Sequence, residues 1–104
     1  MNEVKYKVVL SDAARSMLGS HIKFIAQVNK EAAMQKKNEI MKALRTLEYM
    51  PERYPYLHGN YIPHNKYRKL PIQKYYLVIY QIREMTVFVD SILDTRKDYE
   101  WLRD

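Results

Sequence analysis

The chain has 104 residues, of which 47% are hydrophobic and 29% charged, and its net charge is +6. This length allows one domain with a single modest core, so we predict one domain over residues 1–104. The absence of cysteine excludes disulfides and thiolate metal sites. No apolar run approaches the roughly 18 to 20 residues that cross a bilayer. We expect a cytoplasmic protein with no metal, cofactor or membrane partner, whose charge favours a polyanion or an acidic protein.

The first half of the chain predicts one strand and two helices. Residues 6–10 indicate a strand, after which Ser11 and Asp12 offer N-cap oxygens. Helical spacing then gives a first buried stripe, formed by Ala14, Met17, Leu18, His21, Ile22, Ile25 and Val28. A break at residues 29–30 leads to a second helix, which must end near residues 49–50 because Pro51 disfavours helical backbone before it. Its buried face carries Ala33, Lys37, Ile40, Leu44 and Leu47, widened by Met34 and Met41.

The second half predicts a loop, three strands and a short helix. Residues 51–63 are rich in proline and turn formers, which indicates an extended loop. Residues 67–72, 75–83 and 86–93 are dominated by β-branched and aromatic residues, as strands require. Asp94 and Thr95 can cap a last helix over residues 96–102. The order β-α-α-β-β-β-α predicts an α+β fold, with a helical hairpin packed on a small twisted, largely antiparallel sheet.

Strand alternation divides the central strand into two faces. One face carries Tyr76, Val78, Tyr80 and Ile82, and the other carries Tyr75, Leu77, Ile79 and Gln81. One face must cover the helices. The other is still apolar in its middle, so we expect something outside the domain to cover it. In the preceding strand Arg68 shares a face with Leu70 and Ile72, and Lys69 points the opposite way.

Residues 58–76 form a basic segment without a single aspartate or glutamate. Tyrosines are interleaved with four cations in this segment: Lys66, Arg68, Lys69 and Lys74. Cations hold phosphates and aromatic rings stack on unpaired bases, a combination that favours single-stranded nucleic acid. The alternative is a solvated sheet edge that its lysines protect from aggregation. His21 is predicted to pack on the first helix, and the three histidines lack the spacing of metal ligands.

Several motifs occur in order along nearly the whole chain. The opening strand is followed by Ser11-Asp12-Ala13-Ala14, and the second helix carries Ile40, Leu44 and Leu47 ahead of Pro51. The strongest motifs are Tyr67-Arg68-Lys69-Leu70, the strand Tyr76-Leu77-Val78-Ile79-Tyr80, and Thr95-Arg96-Lys97-Asp98-Tyr99. In this order and length, the chain resembles the RelE/ParE superfamily of bacterial toxins from type II toxin–antitoxin modules.

The resemblance implies a partner and two possible targets. The partner is a cognate antitoxin, usually acidic, that wraps across the sheet. One branch of the superfamily cleaves mRNA on the ribosome, and another inhibits DNA gyrase without nuclease activity. For the nuclease branch, the resemblance implies a catalytic set of Arg68, Lys69, Arg96 and Tyr99. From the basic segment we predict that Lys66, Lys74, Tyr75 and His64 bind the RNA.

One departure from the nuclease pattern keeps the target open. RelE-type nucleases place an arginine directly after the tyrosine that opens the central strand, where this chain has Leu77. A general base is also not evident, with Tyr75, Tyr99, His64 or a lysine of lowered pKa as candidates. We predict a ribosome-dependent mRNA endoribonuclease, with a gyrase inhibitor or a non-catalytic nucleic-acid-binding domain as alternatives. Arg68 and Arg96 are expected to be exposed cations whose loss abolishes activity and leaves folding nearly unchanged.

Overall fold

The computed structural model describes residues 4–96. Its elements, in chain order, are β1 (Lys7–Leu10), α1 (Asp12–Ala26), α2 (Lys30–Arg45), β2 (Arg68–Ile72), β3 (Tyr76–Arg83) and β4 (Thr86–Asp94). The strands form one sheet in the order β1-β4-β3-β2, in which β1 runs parallel to β4 and the other neighbours are antiparallel. The predicted α+β fold is confirmed. The predicted last helix lies, beyond Arg96, outside the described residues.

Side-chain caps fix where both helices begin. Ser11 Oγ accepts a hydrogen bond from the Ala14 N–H at the start of α1, and Asn29 Oδ1 accepts one from the Ala32 N–H at the start of α2. Ser11 Oγ also donates to the carbonyl of Asp90, which fastens the start of α1 to β4. Both helix starts therefore lie where the sequence predicted them.

The end of α2 is determined by Pro51. The helix gives way to a 3-10 turn, Thr46–Glu48, and a second such turn covers Pro51–Arg53. Between them Met50 has a left-handed backbone with φ of 52°, and this interrupts the right-handed helical run directly before Pro51. The helical backbone thus ends within two residues of the predicted boundary.

The main core lies between the helical hairpin and one face of the sheet. The helical segments contribute Ala14, Leu18, Ile40, Leu44 and Leu47, and the sheet contributes Leu70, Ile72, Tyr76, Val78, Tyr80, Val87, Val89 and Ile92. Of the two faces of β3, the one with Tyr76, Val78 and Tyr80 is therefore the face that covers the helices. Three predicted helix-face residues are wrong: Val28 lies beyond the end of α1 and is 87% exposed, and Met34 and Lys37 point into solvent.

The opposite face of the sheet is covered in its middle by the chain itself. Leu57 from the long loop packs with Ile79 and Leu93, and Ile62 and Tyr67 lie against this cluster. The loop is held there because the Leu57 N–H donates to the Tyr67 carbonyl at 2.7 Å. The expectation that an outside partner must cover this apolar centre is therefore wrong. Within the described range, no helix has the length and apolar character needed to cross a membrane.

Candidate functional site

Arg68, at the start of β2, is tied to the long loop. Its Nη1 donates to the carbonyl oxygens of Glu52 at 2.9 Å and Tyr54 at 2.7 Å. Its guanidinium carbon lies 4.0 Å from the centroid of the Tyr56 ring, a cation–π distance. The side chain is half-buried in these contacts, so the expectation of a freely exposed cation is wrong. We call this group of contacts the loop clamp.

Tyr80 completes the loop clamp from the neighbouring strand. It pairs with Arg68 in the sheet register, is fully buried, and donates its hydroxyl to the Pro51 carbonyl at 2.6 Å. Burial raises the pKa of the Tyr80 hydroxyl above its ordinary value, although the nearby Arg68 charge opposes this. The hydroxyl therefore stays protonated and keeps donating to the Pro51 carbonyl. The sequence placed Tyr80 on one face of the central strand and gave no sign of this hydrogen bond.

Three other predicted contact residues lie near the start of β2. The Lys69 side chain is half-buried on the opposite face from Arg68, and its N–H donates to the Pro55 carbonyl at 3.0 Å. Lys66 Nζ lies 5.3 Å from the centroid of the Tyr67 ring. His64 is exposed, and its ring centroid is 6.2 Å from that of His58. Across residues 4–96, no three histidine, aspartate or glutamate side chains are grouped closely enough to hold a metal ion.

Arg96 lies directly after β4, at the other end of the sheet. Its Nε and Nη2 donate to the two carboxylate oxygens of Asp94 at 2.9 and 2.7 Å, and its guanidinium carbon is 4.6 Å from the Tyr75 ring centroid. These hydrogen bonds hold the pKa of the Asp94 carboxyl at about 2, although burial acts the other way. The same hydrogen bond raises the pKa of Arg96. The Arg96 side chain remains 57% exposed.

A cavity of about 360 Å³ opens beside Arg96, between the helical hairpin and the end of the sheet. His21 meets the Tyr76 ring edge-on at 5.3 Å between centroids, which confirms its predicted packing role. Lys36 Nζ donates to Gln73 Oε1 at 2.6 Å and lies 3.1 Å from the Glu39 carboxylate. Both His21 and Lys36 line the cavity. We call this cavity, with Arg96 and Tyr75, the corner cavity. Nothing in the sequence pattern indicated Lys36.

The structure brings together only part of the predicted site. Lys74 and Tyr75 lie in the β2–β3 turn beside Arg96, because the Thr95 N–H donates to the Tyr75 carbonyl at 2.7 Å and the Thr95 hydroxyl reaches the Lys74 carbonyl. Arg68 lies at the other end of β2. Ile72, Tyr76 and Asp94 pair across the sheet at the end near Arg96, and Arg68 is four residues, or about 13 Å, away from Ile72 along the strand. Tyr99 lies outside the described residues, so its role stays a prediction.

Comparison with known proteins gives one family and two similar folds. The family model described as ParE toxin of type II toxin-antitoxin system, parDE, matches residues 8–99. A structure of the chromosomal ParDE toxin–antitoxin system from P. aeruginosa has a TM-score of 0.71 at 11% identity, covering 86% of this chain and 96% of that chain. The solution structure of a conserved hypothetical protein, HP0894 from Helicobacter pylori, has a TM-score of 0.58 at 17% identity, covering 88% and 97%. Both likenesses concern the fold alone. The curated proteins contain no match to the sequence.

Proposed function

The chain belongs to the ParE toxin family of type II toxin–antitoxin systems, and from that premise we propose that it stops growth by binding DNA gyrase without cutting RNA. The observation that supports this is the separation of the two arginines that the nuclease hypothesis required. Arg68 and Arg96 lie at opposite ends of the sheet, and Arg68 has committed Nη1 to two backbone carbonyls. Charge stabilisation in phosphodiester cleavage needs donors about 3 Å from one developing oxyanion.

The residues of the corner cavity are the best candidates for contact with the target. Arg96 is exposed, Tyr75 is 46% exposed, and Lys74 stands in the same turn. Exposed arginine and tyrosine side chains are enriched at the energetically important positions of protein interfaces. We therefore expect Arg96→Ala to relieve toxicity without unfolding the protein.

Ribosome-dependent mRNA cleavage is the second candidate, and the corner cavity is the observation that favours it. Two cations, Lys36 and Arg96, line one concave surface together with the Tyr75 ring, and Lys74 lies in the adjoining turn. Such a surface could hold a phosphate and a stacked base. The predicted roles of Lys69, Tyr99, Lys66 and His64 in this candidate stay predictions. Leu77 stands where nucleases of the superfamily have an arginine.

A type II toxin has a cognate antitoxin as its partner. With a net charge of +6 on this chain, we propose that the antitoxin is acidic where it contacts the toxin. We also propose that both proteins act in the cytoplasm, where gyrase and ribosomes are.

Induction in bacteria and one purified assay test the proposal together. If gyrase is the target, the purified toxin should block supercoiling, and induced cells should show a DNA-damage response while their transcripts remain intact. The matched control is Arg15→Ala, an exposed cation on α1, which should keep full activity. Transcripts cut within coding regions, in a manner that needs translation, would establish the nuclease candidate in its place.

A further inference from the structure

A second cavity, also of about 360 Å³, lies on the sheet face opposite the helical hairpin. Leu57 and Ile62 from the loop and Ile79 from β3 line it, and Tyr61 and Tyr67 stand at its edge. It shares no lining residue with the corner cavity, so the two cavities can be tested with separate variants. A volume of this size is in the range of small-molecule sites and can hold one planar ring system.

The polar side of this cavity is formed by Asp90 and Ser91 on β4. Asp90 is the extra residue of a β-bulge, since Ile79 pairs with Ser91 and Tyr80 pairs with Val89. Bulges re-aim side chains and are common beside functional sites. Gln81 Nε2 donates to Asp90 Oδ2 at 3.2 Å, and Arg83 Nε donates in turn to Gln81 Oε1 at 3.3 Å. The carboxylate is therefore held in a fixed orientation.

The surroundings of the cavity are aromatic and basic. Tyr61 is 75% exposed, which leaves its ring available for stacking. Lys66 lies over Tyr67, and Lys69 is on the same sheet face as Ile79, with which it pairs. Residues 53–83 contain no aspartate or glutamate. A basic ligand would be repelled here, and a purely aliphatic ligand would desolvate Asp90 without giving it a hydrogen bond.

We propose that this cavity binds the guanine base of a nucleotide. Guanine offers two adjacent donors on its Watson–Crick edge, N1–H and the N2 amine, and these match the two oxygens of the Asp90 carboxylate. Each carboxylate oxygen accepts more than one hydrogen bond, so the contact with Gln81 can persist. The base stacks against Tyr61, and its phosphate lies toward Lys66 and Lys69.

Calorimetric titration with four mononucleotides tests the base. We expect GMP to bind at least fivefold more tightly than IMP, which lacks the N2 amine, and AMP and UMP to bind more weakly still. Asp90→Asn replaces one acceptor by a donor, so it should weaken GMP binding at least tenfold. The variant should instead prefer XMP, because the C2 carbonyl of xanthine can accept a hydrogen bond from the new amide. That reversal of preference cannot arise from a loss of folding.

The matched control is Glu84→Gln, which removes one negative charge from the exposed β3–β4 turn and should leave GMP affinity within twofold of the parent. If Asp90→Asn does not fold, the exposed Tyr61→Ala variant takes its place and should weaken GMP, IMP and AMP alike by loss of stacking. Equal binding of GMP and AMP, or equal effects of Asp90→Asn and Glu84→Gln, would overturn the proposal.

The base can come from a free nucleotide or from a single strand, and a further titration separates them. A short oligouridine with one central guanosine is compared with GMP and GTP at matched salt. If the oligonucleotide binds more than tenfold more tightly than GMP, the ligand of the cavity is a single strand, because additional phosphates then contact the basic segment. Equal or tighter binding of GTP assigns it to free nucleotide. Failure of all three ligands to bind contradicts the proposal in both forms.

Discussion

Arg68 and Arg96 were both expected to be exposed cations needed for activity, but their contacts in the structure differ. Arg68 binds two loop carbonyls and stacks on Tyr56, whereas Arg96 binds one neighbouring carboxylate and keeps 57% of its side chain in solvent. The partners of Arg68, Glu52 and Tyr54, lie 16 and 14 positions before it in the sequence, whereas Arg96 binds Asp94, only two positions away. The first arginine therefore maintains the tertiary structure, and the second is available to a partner.

The difference shows how much a basic motif in a sequence can indicate. Tyr67-Arg68-Lys69-Leu70 is equally compatible with a phosphate-binding strand and with a strand that fastens a proline-rich loop. A guanidinium has five N–H donors and satisfies unpaired carbonyls well, so a loop with few internal hydrogen bonds favours an arginine beside it. Substitutions in the loop clamp should therefore reduce stability more than substitutions at the corner cavity.

The largest effect is expected at Arg68. Arg68→Ala should lower the free energy of unfolding by about 3 kcal/mol, because two charge-assisted hydrogen bonds are lost and two carbonyls lose their partner. Arg68→Lys should cost about half as much, since an ammonium can reach a carbonyl but cannot stack on Tyr56 in the same way. Urea denaturation at neutral pH measures both variants.

The control for Arg68 is Lys69→Ala on the same strand, which should change stability by less than about 0.5 kcal/mol. If Arg68→Ala proves as stable as the parent and yet is inactive, the two arginines are alike after all. Arg68 would then be a functional residue, as the sequence predicted, and its role in holding the loop would be minor.

An intermediate effect is expected at Tyr80. Tyr80→Phe keeps the ring in the core but leaves the Pro51 carbonyl without its 2.6 Å hydrogen bond, at a cost of about 1 to 2 kcal/mol. Tyr61→Phe, at a position 75% exposed, is the matched control and should cost nothing measurable. A double-mutant cycle with Arg68→Ala should show coupling, because both side chains hold the same loop. Strict additivity would mean that the loop clamp is not one unit.

The sequence predicted the elements of the fold because their signals are local. Ser11 as an N-cap, Pro51 as a helix terminator and the alternation of Tyr76 to Ile82 each act over a few residues. The path of the loop over Ile79 was missed, because residues 51–63 have no periodicity that says which face they cover. The exposure of Met34 was missed for a related reason, since spacing alone does not set the width of a buried stripe.

The candidate site was predicted less well, because it depends on contacts between distant segments. Lys74, Tyr75 and Arg96 do come together, since a turn and the end of β4 meet at one edge of the sheet. Lys36 joins them from α2, and the bulge in β4 places both Asp90 and Ser91 beside the second cavity. No pattern in the sequence specifies either arrangement.

The smallest effect is expected at Arg96, and it should depend on pH. Asp94 has a folded-state pKa of about 2 against an ordinary 3.8, so its stabilising contribution is present above about pH 4 and is lost as the pH falls through 2. The lowered pKa of Asp94 reflects this contribution, and screening of the exposed Arg96 side chain keeps it small. Arg96→Met should therefore be slightly less stable than the parent at pH 7, with a smaller loss than Tyr80→Phe.

Urea denaturation of the parent and Arg96→Met at pH 7, 5, 3 and 2 measures that difference. The two stability curves should run parallel above pH 4 and converge towards pH 2, because protonated Asp94 no longer distinguishes arginine from methionine at position 96. Lys74→Met, beside the same cavity, should give a constant small offset in stability over the whole pH range, since none of the ion pairs within residues 4–96 involves its side chain. A loss at pH 7 as large as that of Arg68→Ala would mean that Arg96 also maintains the tertiary structure. The corner cavity would then no longer be a good candidate for contact with the target, because Arg96 would be needed to keep the protein folded.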